Sequence, residues 1–404
     1  MGGGASGLAC AVAAARSGIR VLVIEKMDRC GHKLCLTGGR KCNFTHEEPP
    51  AVMARRFESG ARLLPLLRRF PYERIERFFG SLGIAARTDR DGCVWPVGMD
   101  AAGVRDRLVL KATEAGAVIR TSCRVLALEP CPEGWEVVLP GERASSRSVC
   151  VATGGASFPQ TGTTGDGLGL CRRLGLETAE WFAALASLET AEDLSGLAGI
   201  THPQVEIELV VGAETVQRAS GHFIFAHRYV SGSTVLILCG AAARALSLGS
   251  RVKLRVNWLP GYDSAALASA FGAARREHPR RKLLTFLAGF VARRLGNLLC
   301  AKAGVPAERL MAELTREEER RVTSVLKGTE FEVVGTEPME RSTVTGGGVS
   351  LDEVDLENCR VRRSPGLCVT GELLDTWAET GGYNLHLAWA TGIAAAEAVG
   401  RQEK

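Results

Sequence analysis

Apolar residues crowd the start of the chain with almost no polar interruption. From Ala5 to Ser17 nearly every position is Ala, Leu, Val, Cys or Ser, and Gly18 follows. That run predicts a buried helix stopped by a glycine at its carboxyl end. Ile19 to Ile24 is rich in β-branched residues and closes on Glu25, which reads as a strand ending in an acid. Thr121 to Leu128 reads as a further strand. Val149 to Ala152 and Leu367 to Thr370 are short strands that run into Thr153-Gly154-Gly155 and Gly371-Glu372. A loop of small residues, Thr161 to Gly167, precedes a helix starting near Leu168. Thr380-Gly381-Gly382-Tyr383-Asn384 opens a long apolar helix through Ala396.

The middle of the chain has a different rhythm. Residues 204–211 and 251–258 alternate apolar and polar side chains, as half-buried strands do, and 221–238 is more continuously apolar. These predict a β-rich barrel or sandwich. Residues 264–328 read as helices, with Pro306 in a first turn and Thr315 with Glu318 forming a capping box. The expected organisation is a discontinuous dinucleotide domain, 1–186 with 339–404, interrupted by a β-rich domain at 187–262 and a helical insertion at 263–338.

Gly2, Gly4 and Gly7 give G-x-G-x-x-G directly before the first helix, with Glu25 about 20 residues on, the order and spacing of a dinucleotide site. Gly2 makes the tight turn, Gly4 lets backbone amides approach a pyrophosphate, and Gly7 lets the helix lie against the sheet. Ala5 and Ser6 open the helix whose positive end meets the diphosphate. Glu25 then accepts hydrogen bonds from ribose hydroxyls. The motif expects a strand before Gly2. Only Met1 stands there, so that strand lies upstream of this sequence or is absent from this form.

The chain has 404 residues, more than one ordinary core, with 46% apolar and 6% aromatic content. A net charge of +5 is too slight to dictate a nucleic-acid partner. The basic run 275–282 carries no aromatics for base stacking and reads as a solvated helix face. An odd count of 13 cysteines without a secretory leader argues for free thiols in a reducing, cytoplasmic setting. Cys30 and Cys35 are spaced C-x4-C, and two ordinary thiols are expected there. No stretch approaches the ~20 apolar residues of a membrane span. No metal-ligand spacing occurs, and no second glycine motif marks a dedicated nicotinamide domain.

After Glu25 and Lys26 comes Gly31-His32-Lys33-Leu34-Cys35-Leu36-Thr37-Gly38-Gly39-Arg40-Lys41-Cys42-Asn43-Phe44-Thr45. With VATGGASFPQTGTTGDGLG at 151–169, GHFIFAHRYVSGSTVLIL at 221–238 and the blocks within 345–393, it resembles the signature of a family of bacterial flavoproteins. Members of that family include aminoacetone oxidase and the flavin-dependent reductases of bile-acid dehydroxylation operons. The resemblance implies an α/β fold, with a Rossmann-like, glutathione-reductase-like FAD-binding domain. It implies FAD contacts from Lys26, Lys33, Thr37, Gly38, Gly39, Lys41, Cys42 and Asn43, and from backbone at Val125. It adds Thr153, Gly154, Gly155, Gly371, Glu372, Gly381, Gly382, Tyr383 and Asn384, the last four at a helix end aimed at the flavin.

Two departures stand out. Arg40 takes a position where the family has glycine, with Lys41 where it has arginine. Ala226-His227 and Ser231-Gly232-Ser233 replace Thr-His and Ser-Gly-Pro. The expected chemistry is hydride transfer between flavin and a small or steroid-like organic substrate, with reduction of a conjugated double bond by NAD(P)H in front. An amine oxidase using O2, a flavin-binding redox sensor and a flavoprotein acting on RNA stand behind it. No residue is named as general acid or base. Lys41 and His227 are the first to mutate. The oligomeric state is open.

Overall fold

The computed structural model describes residues 1–402 and divides into two units, Met1–Ala183 with Met339–Lys404, and Ala184–Pro338. In the first unit, helix Ala5–Arg16 packs against helices Gly381–Gln402 and Ala101–Glu114. Strand Leu22–Ile24 pairs in parallel with Val118–Arg120. Strand Val149–Val151 pairs in parallel with Leu367–Val369, which continues into Arg360–Val361 and Val354–Asp355. Met1 and Gly2 join these two pieces. The Gly2 N–H donates to the Ile24 carbonyl at 2.8 Å, and the Met1 carbonyl accepts from Ala152 at 2.9 Å. Parallel strands with helical crossovers put the loops at the strand ends, where doubly wound proteins hold nucleotides.

Some expectations are corrected. Only the end of the expected strand Thr121 to Leu128 is strand, where Ala127–Cys131 joins an antiparallel meander with Gly134–Leu139 and Glu142–Ser146. Before it, the Ser122 and Cys123 N–H groups donate to the Met27 and Glu25 carbonyls, at 2.7 and 2.9 Å, in irregular chain. The strand expected from Ile19 narrows to Leu22–Ile24.

The core under the first helix is aromatic. Phe44 stacks on Phe79 at 4.5 Å between ring centres, and Phe79 meets the edge of Trp389 at 5.1 Å. His386 is fully buried beside them. Its Nε2–H donates to the Phe70 carbonyl (2.9 Å), and its Nδ1 accepts from the Thr45 hydroxyl (2.7 Å). Burial pushes this imidazole down to about 4, against a weaker upward pull from the Phe70 carbonyl. The fold therefore holds the neutral ring, whereas the unfolded chain protonates it near pH 6.5. Stability from this site is complete above pH 6.5 and is lost as pH falls toward 4, by about 3 kcal/mol in all. Urea midpoints of wild type and His386→Gln across pH 4–7 will test this. The wild-type curve should fall more steeply, and parallel curves would assign the acid sensitivity to another group.

The second unit is a closed barrel in the order Leu188–Thr190, Tyr229–Ser231, Glu214–Phe225, Thr201–Val211, Val252–Asn257, Thr329–Thr336. Along Thr201–Val211, Val205, Ile207 and Leu209 point inward while Glu206 and Glu208 face out, the alternation of half-buried strands. Phe223, Phe225, Trp258 and Phe331 fill the interior. The apolar block at 221–238 is not all strand: Ser233–Ser247 is a helix. A continuous apolar run carries no period to separate the two. Four helices follow in the same unit: Ser264–Glu277, Leu283–Leu287, Arg293–Ala303 and Arg316–Lys327. The Thr315–Glu318 capping box is formed, at 3.2 Å and 2.9 Å. Pro306 lies in a turn closed by Arg309, not in a helix.

No helix among the described residues is long and apolar enough to cross a membrane.

Candidate active site

A cleft of about 1230 Å³, counting its open mouth, runs through the first unit. Gly2, Gly4, Ala5, Ser6, Glu25, Lys26, Lys33, Thr37, Val125, Thr153, Gly154, Gly371, Glu372, Gly381 and Asn384 all line it. They come from chain segments up to about 380 residues apart.

At one end the glycine loop meets the first helix. Gly2 has φ +91°, and a Cβ there would lie 2.4 Å from the Ala152 carbonyl oxygen. Gly4 caps the helix with no side-chain hydrogen bond and has open space where its Cβ would stand. The first-turn amides of a helix have no intrahelical acceptor, so they face the cleft available to an anion. Glu25 is held at the strand end by the Gly3 N–H (2.7 Å) and the Met27 N–H (2.9 Å), one on each carboxylate oxygen. Both oxygens keep a further lone pair for ribose hydroxyls. Two hydroxyls lining the cleft, Ser6 Oγ and Thr153 Oγ1, are buried without a hydrogen-bond partner. Orphaned buried hydroxyls are costly unless a ligand satisfies them. Together with the open Gly4 face, they fit the diphosphate of FAD.

Further along, Lys26 Nζ donates to Asp166 Oδ2 at 2.9 Å, and Arg124 donates to Asp166 Oδ1 at 2.8 Å. Burial pushes the Asp166 carboxyl up, but the Lys26 hydrogen bond and the charges of Lys26 and Arg124 outweigh it and hold it below its ordinary range. Lys33 Nζ reaches both oxygens of Glu372, at 2.8 and 2.6 Å, and Ser157 Oγ at 2.6 Å. Glu372 also accepts from the Thr345 N–H at 2.8 Å and from Ser157 Oγ at 3.1 Å. This network ties three distant segments together at the middle of the cleft.

The remaining expected contacts do not line the cleft. Gly7 lies inside the loop–helix packing. Gly155 packs on Thr345, whose Oγ1 is 2.3 Å from a Cβ placed there. Gly38 packs on Trp95, and Gly39 is exposed. Asn43 is buried, its amide nitrogen facing the Thr45 carbonyl at 2.7 Å and its oxygen accepting from His46 Nε2 at 3.2 Å. Tyr383 does not line the cleft and stacks on His46 at 3.9 Å, and Gly382 leaves room for the Asn43 amide and the His46 ring. Cys42 is fully buried, and burial pushes its thiol up to about 12, which makes it inert. Asn384 lines the cleft, but its amide turns back to Ala378 (3.1 and 3.0 Å) and the Thr380 carbonyl (2.8 Å), closing the turn before the helix.

Thr37 to Cys42 is a left-handed turn, with φ +56° at Gly38, +62° at Gly39, +72° at Arg40 and +60° at Cys42. Glycine adopts this region freely, whereas a side chain costs roughly 1–2 kcal/mol. Arg40 and Lys41 are both exposed, and their side chains make no hydrogen bond or ion pair among the described residues, although the Lys41 N–H donates to the Gly38 carbonyl at 3.2 Å.

Sequence reading missed Arg124, Asp166, Thr343, Val344 and Leu385 as cleft residues. Asp166 was signalled by its glycine-rich block; the others carried no local mark. In the second unit His227 is exposed on the turn after Phe225. It is His222, not His227, that meets a hydroxyl, with Nδ1 at 2.9 Å from Ser233 Oγ. All 13 cysteines are free thiols, Cys30 and Cys35 included.

The dinucleotide cradle, the strand-end acid and the orphaned hydroxyls define the class, a Rossmann-type flavoprotein among the FAD-dependent oxidoreductases. The chain belongs to the family of the HI0933-like protein Rossmann domain, whose model matches residues 1–398. It is 29% identical over 400 residues to a 3-dehydro-bile acid delta(4,6)-reductase of Clostridium scindens, covering 98% of this chain and 97% of that protein. It is 28% identical over 403 residues to a ribosomal RNA dihydrouridine synthase of Escherichia coli, covering 98% of this chain and 96% of that protein. Among solved structures, the fold is shared with a 3-ketosteroid delta1-dehydrogenase of Sterolibacterium denitrificans. There the TM-score is 0.53 at 13% identity, over 99% of this chain and 98% of that one.

Proposed function

We propose that this chain reduces a carbon–carbon double bond conjugated to a carbonyl in a small organic substrate, with NAD(P)H as electron donor. One observation carries the reading: two relatives matched over nearly their whole length are named for such a reduction, one on a steroid acid and one on a uracil ring. In balance, NAD(P)H and one proton are consumed, and the alkene gains two hydrogens. FAD, held when bound by the Gly4–Ser6 amides, Ser6, Glu25 and Thr153, supplies the hydride chemistry. The protein's part is electrostatic and geometric. The N-terminus of Gly381–Gln402 places partial positive charge where Gly381 and Leu385 line the cleft. The Lys33–Glu372 pair holds the loops that shape the middle of the cleft.

Anaerobic mixing with NADH or NADPH should bleach the flavin's visible band. A conjugated enone such as a 3-oxo-4-ene steroid should then restore it. Bleaching by primary amines with peroxide release, and none by nicotinamides, would overturn the reading in favour of an amine oxidase. A second reading is supported by the dihydrouridine synthase relative: uridine in RNA as the acceptor. It predicts that an rRNA fragment, and not a steroid enone, restores the band.

A further inference from the structure

We propose that Arg40 and Lys41 form an anion clamp beside the cleft, which selects a small substrate bearing one terminal carboxylate or phosphate. The inference deepens the reading above, and rests on it only for the idea that the reacting substrate enters this cleft. The cations already placed there are mostly spent. Lys26 and Arg124 neutralise Asp166, and Lys33 is paired with Glu372. Arg29, four residues past Glu25, lines the cleft near the strand-end acid. Arg40 and Lys41 are different. They follow Thr37, itself a cleft residue, and their exposed side chains meet no hydrogen-bond or ion-pair partner among the described residues.

The backbone makes Arg40 the more telling of the two. It sits at φ +72° in a turn where Gly38 and Gly39 precede it at +56° and +62°. Glycine would be relaxed at that position, so the local fold gains nothing from a side chain there. No neighbour is stapled by it, and no salt bridge uses it. Strain of this kind, held in an exposed and unpartnered cation, is best accounted for by a ligand. The chemistry of the pair names that ligand. A guanidinium offers a planar fork that matches two oxygens of a carboxylate or phosphate, and the adjacent ammonium adds a point charge.

A polyanion such as RNA would need a track of free cations. The basic run 275–282, which lies in the second unit, is interrupted by ion pairs of Arg275 with Glu319 and Lys282 with Glu308. Two adjacent free cations suit one terminal group.

The test uses FAD-loaded full-length protein and Arg40→Gly, which the backbone accommodates better than wild type. Arg40→Gly should keep its flavin and melt at a higher temperature. Reoxidation of the reduced enzyme by ferricyanide, a small trianion, should slow several-fold and lose its salt dependence, while reoxidation by neutral benzoquinone stays unchanged. Equal ferricyanide rates in the two proteins would overturn the clamp, whatever the physiological substrate. The second arm titrates a 3-oxo-4-ene steroid carboxylic acid and its carboxamide against the flavin band. Wild type should bind the acid about tenfold more tightly, and Arg40→Gly should lose that preference. A preference that survives in Arg40→Gly would also overturn the clamp. If neither steroid perturbs the flavin while the ferricyanide effect holds, the clamp stands and the enone reading fails. An RNA fragment that binds wild type and Arg40→Gly equally, and better than any small anion, would overturn it in favour of a polyanion site.

Discussion

Gly7→Ala is expected to purify without FAD. A Cβ at position 7 would lie 1.9 Å from the Gly2 carbonyl oxygen and 3.3 Å from the Ala152 Cβ. The first of these neighbours is backbone, so no side chain can rotate away. Either the helix slides or the loop opens, and both carry the amides that open onto the cleft. The helix has little room to slide, because Gly392 of the C-terminal helix meets its other side. A Cβ on Gly392 would come within 2.3 Å of the Ser6 carbonyl. Overpacking of this kind costs about 3 kcal/mol, and the displaced cradle loses affinity as well. The flavin-to-protein ratio from the visible spectrum, with the melting temperature, checks it. An alanine variant that stays yellow and melts like wild type would show that this contact does not govern the cradle.

Glu372→Leu is expected to be the most damaging single change at the middle of the cleft. It removes both carboxylate acceptors of Lys33, leaving only the Ser157 hydroxyl, and also the partner of the Thr345 N–H and one partner of Ser157. The Lys33 and Glu372 side chains are only 20% and 19% exposed, so water replaces these bonds poorly. Breaking such a pair from one side should cost about 3 kcal/mol, mostly the price of a cation left without its counter-charge. Removing that cation as well should therefore help. Lys33→Met in the Glu372→Leu background should recover part of the stability lost, as a urea double-mutant cycle would read. Strictly additive losses would mean that the two residues do not act as a pair.

Much of the glycine-loop end of the cleft was legible in the sequence. Gly2, Gly4, Ser6 and Glu25 declare themselves because the loop, the helix and the strand-end acid are contiguous, and local sterics set their geometry. Val125 was placed at the cleft by likeness to other flavoproteins, yet its stretch is not the strand that its apolar pattern suggested. The other end was less legible. Asn43 and Cys42 belong to the conspicuous 31–45 block and Tyr383 to the 380–384 block, but all three are buried and none lines the cleft. A motif marks residues needed near a site and does not say which way each side chain turns. Asn384 shows the same limit, since its amide closes a turn that depends on where Ala378 and Thr380 lie.

Hydrogen bonding and period within a few residues were enough for the first helix, the Thr315–Glu318 cap and the alternating barrel strands, and these the chain determined alone. Tertiary structure decided the rest. Lys33 finds Glu372 across 339 positions, and Arg124 and Lys26 converge on Asp166. Ser233–Ser247 becomes a helix although its apolar run suits a strand equally well. The physical reason is range: local rules act through neighbours on the chain, whereas a charge pair or a buried apolar run takes its form from whatever distant surface it meets.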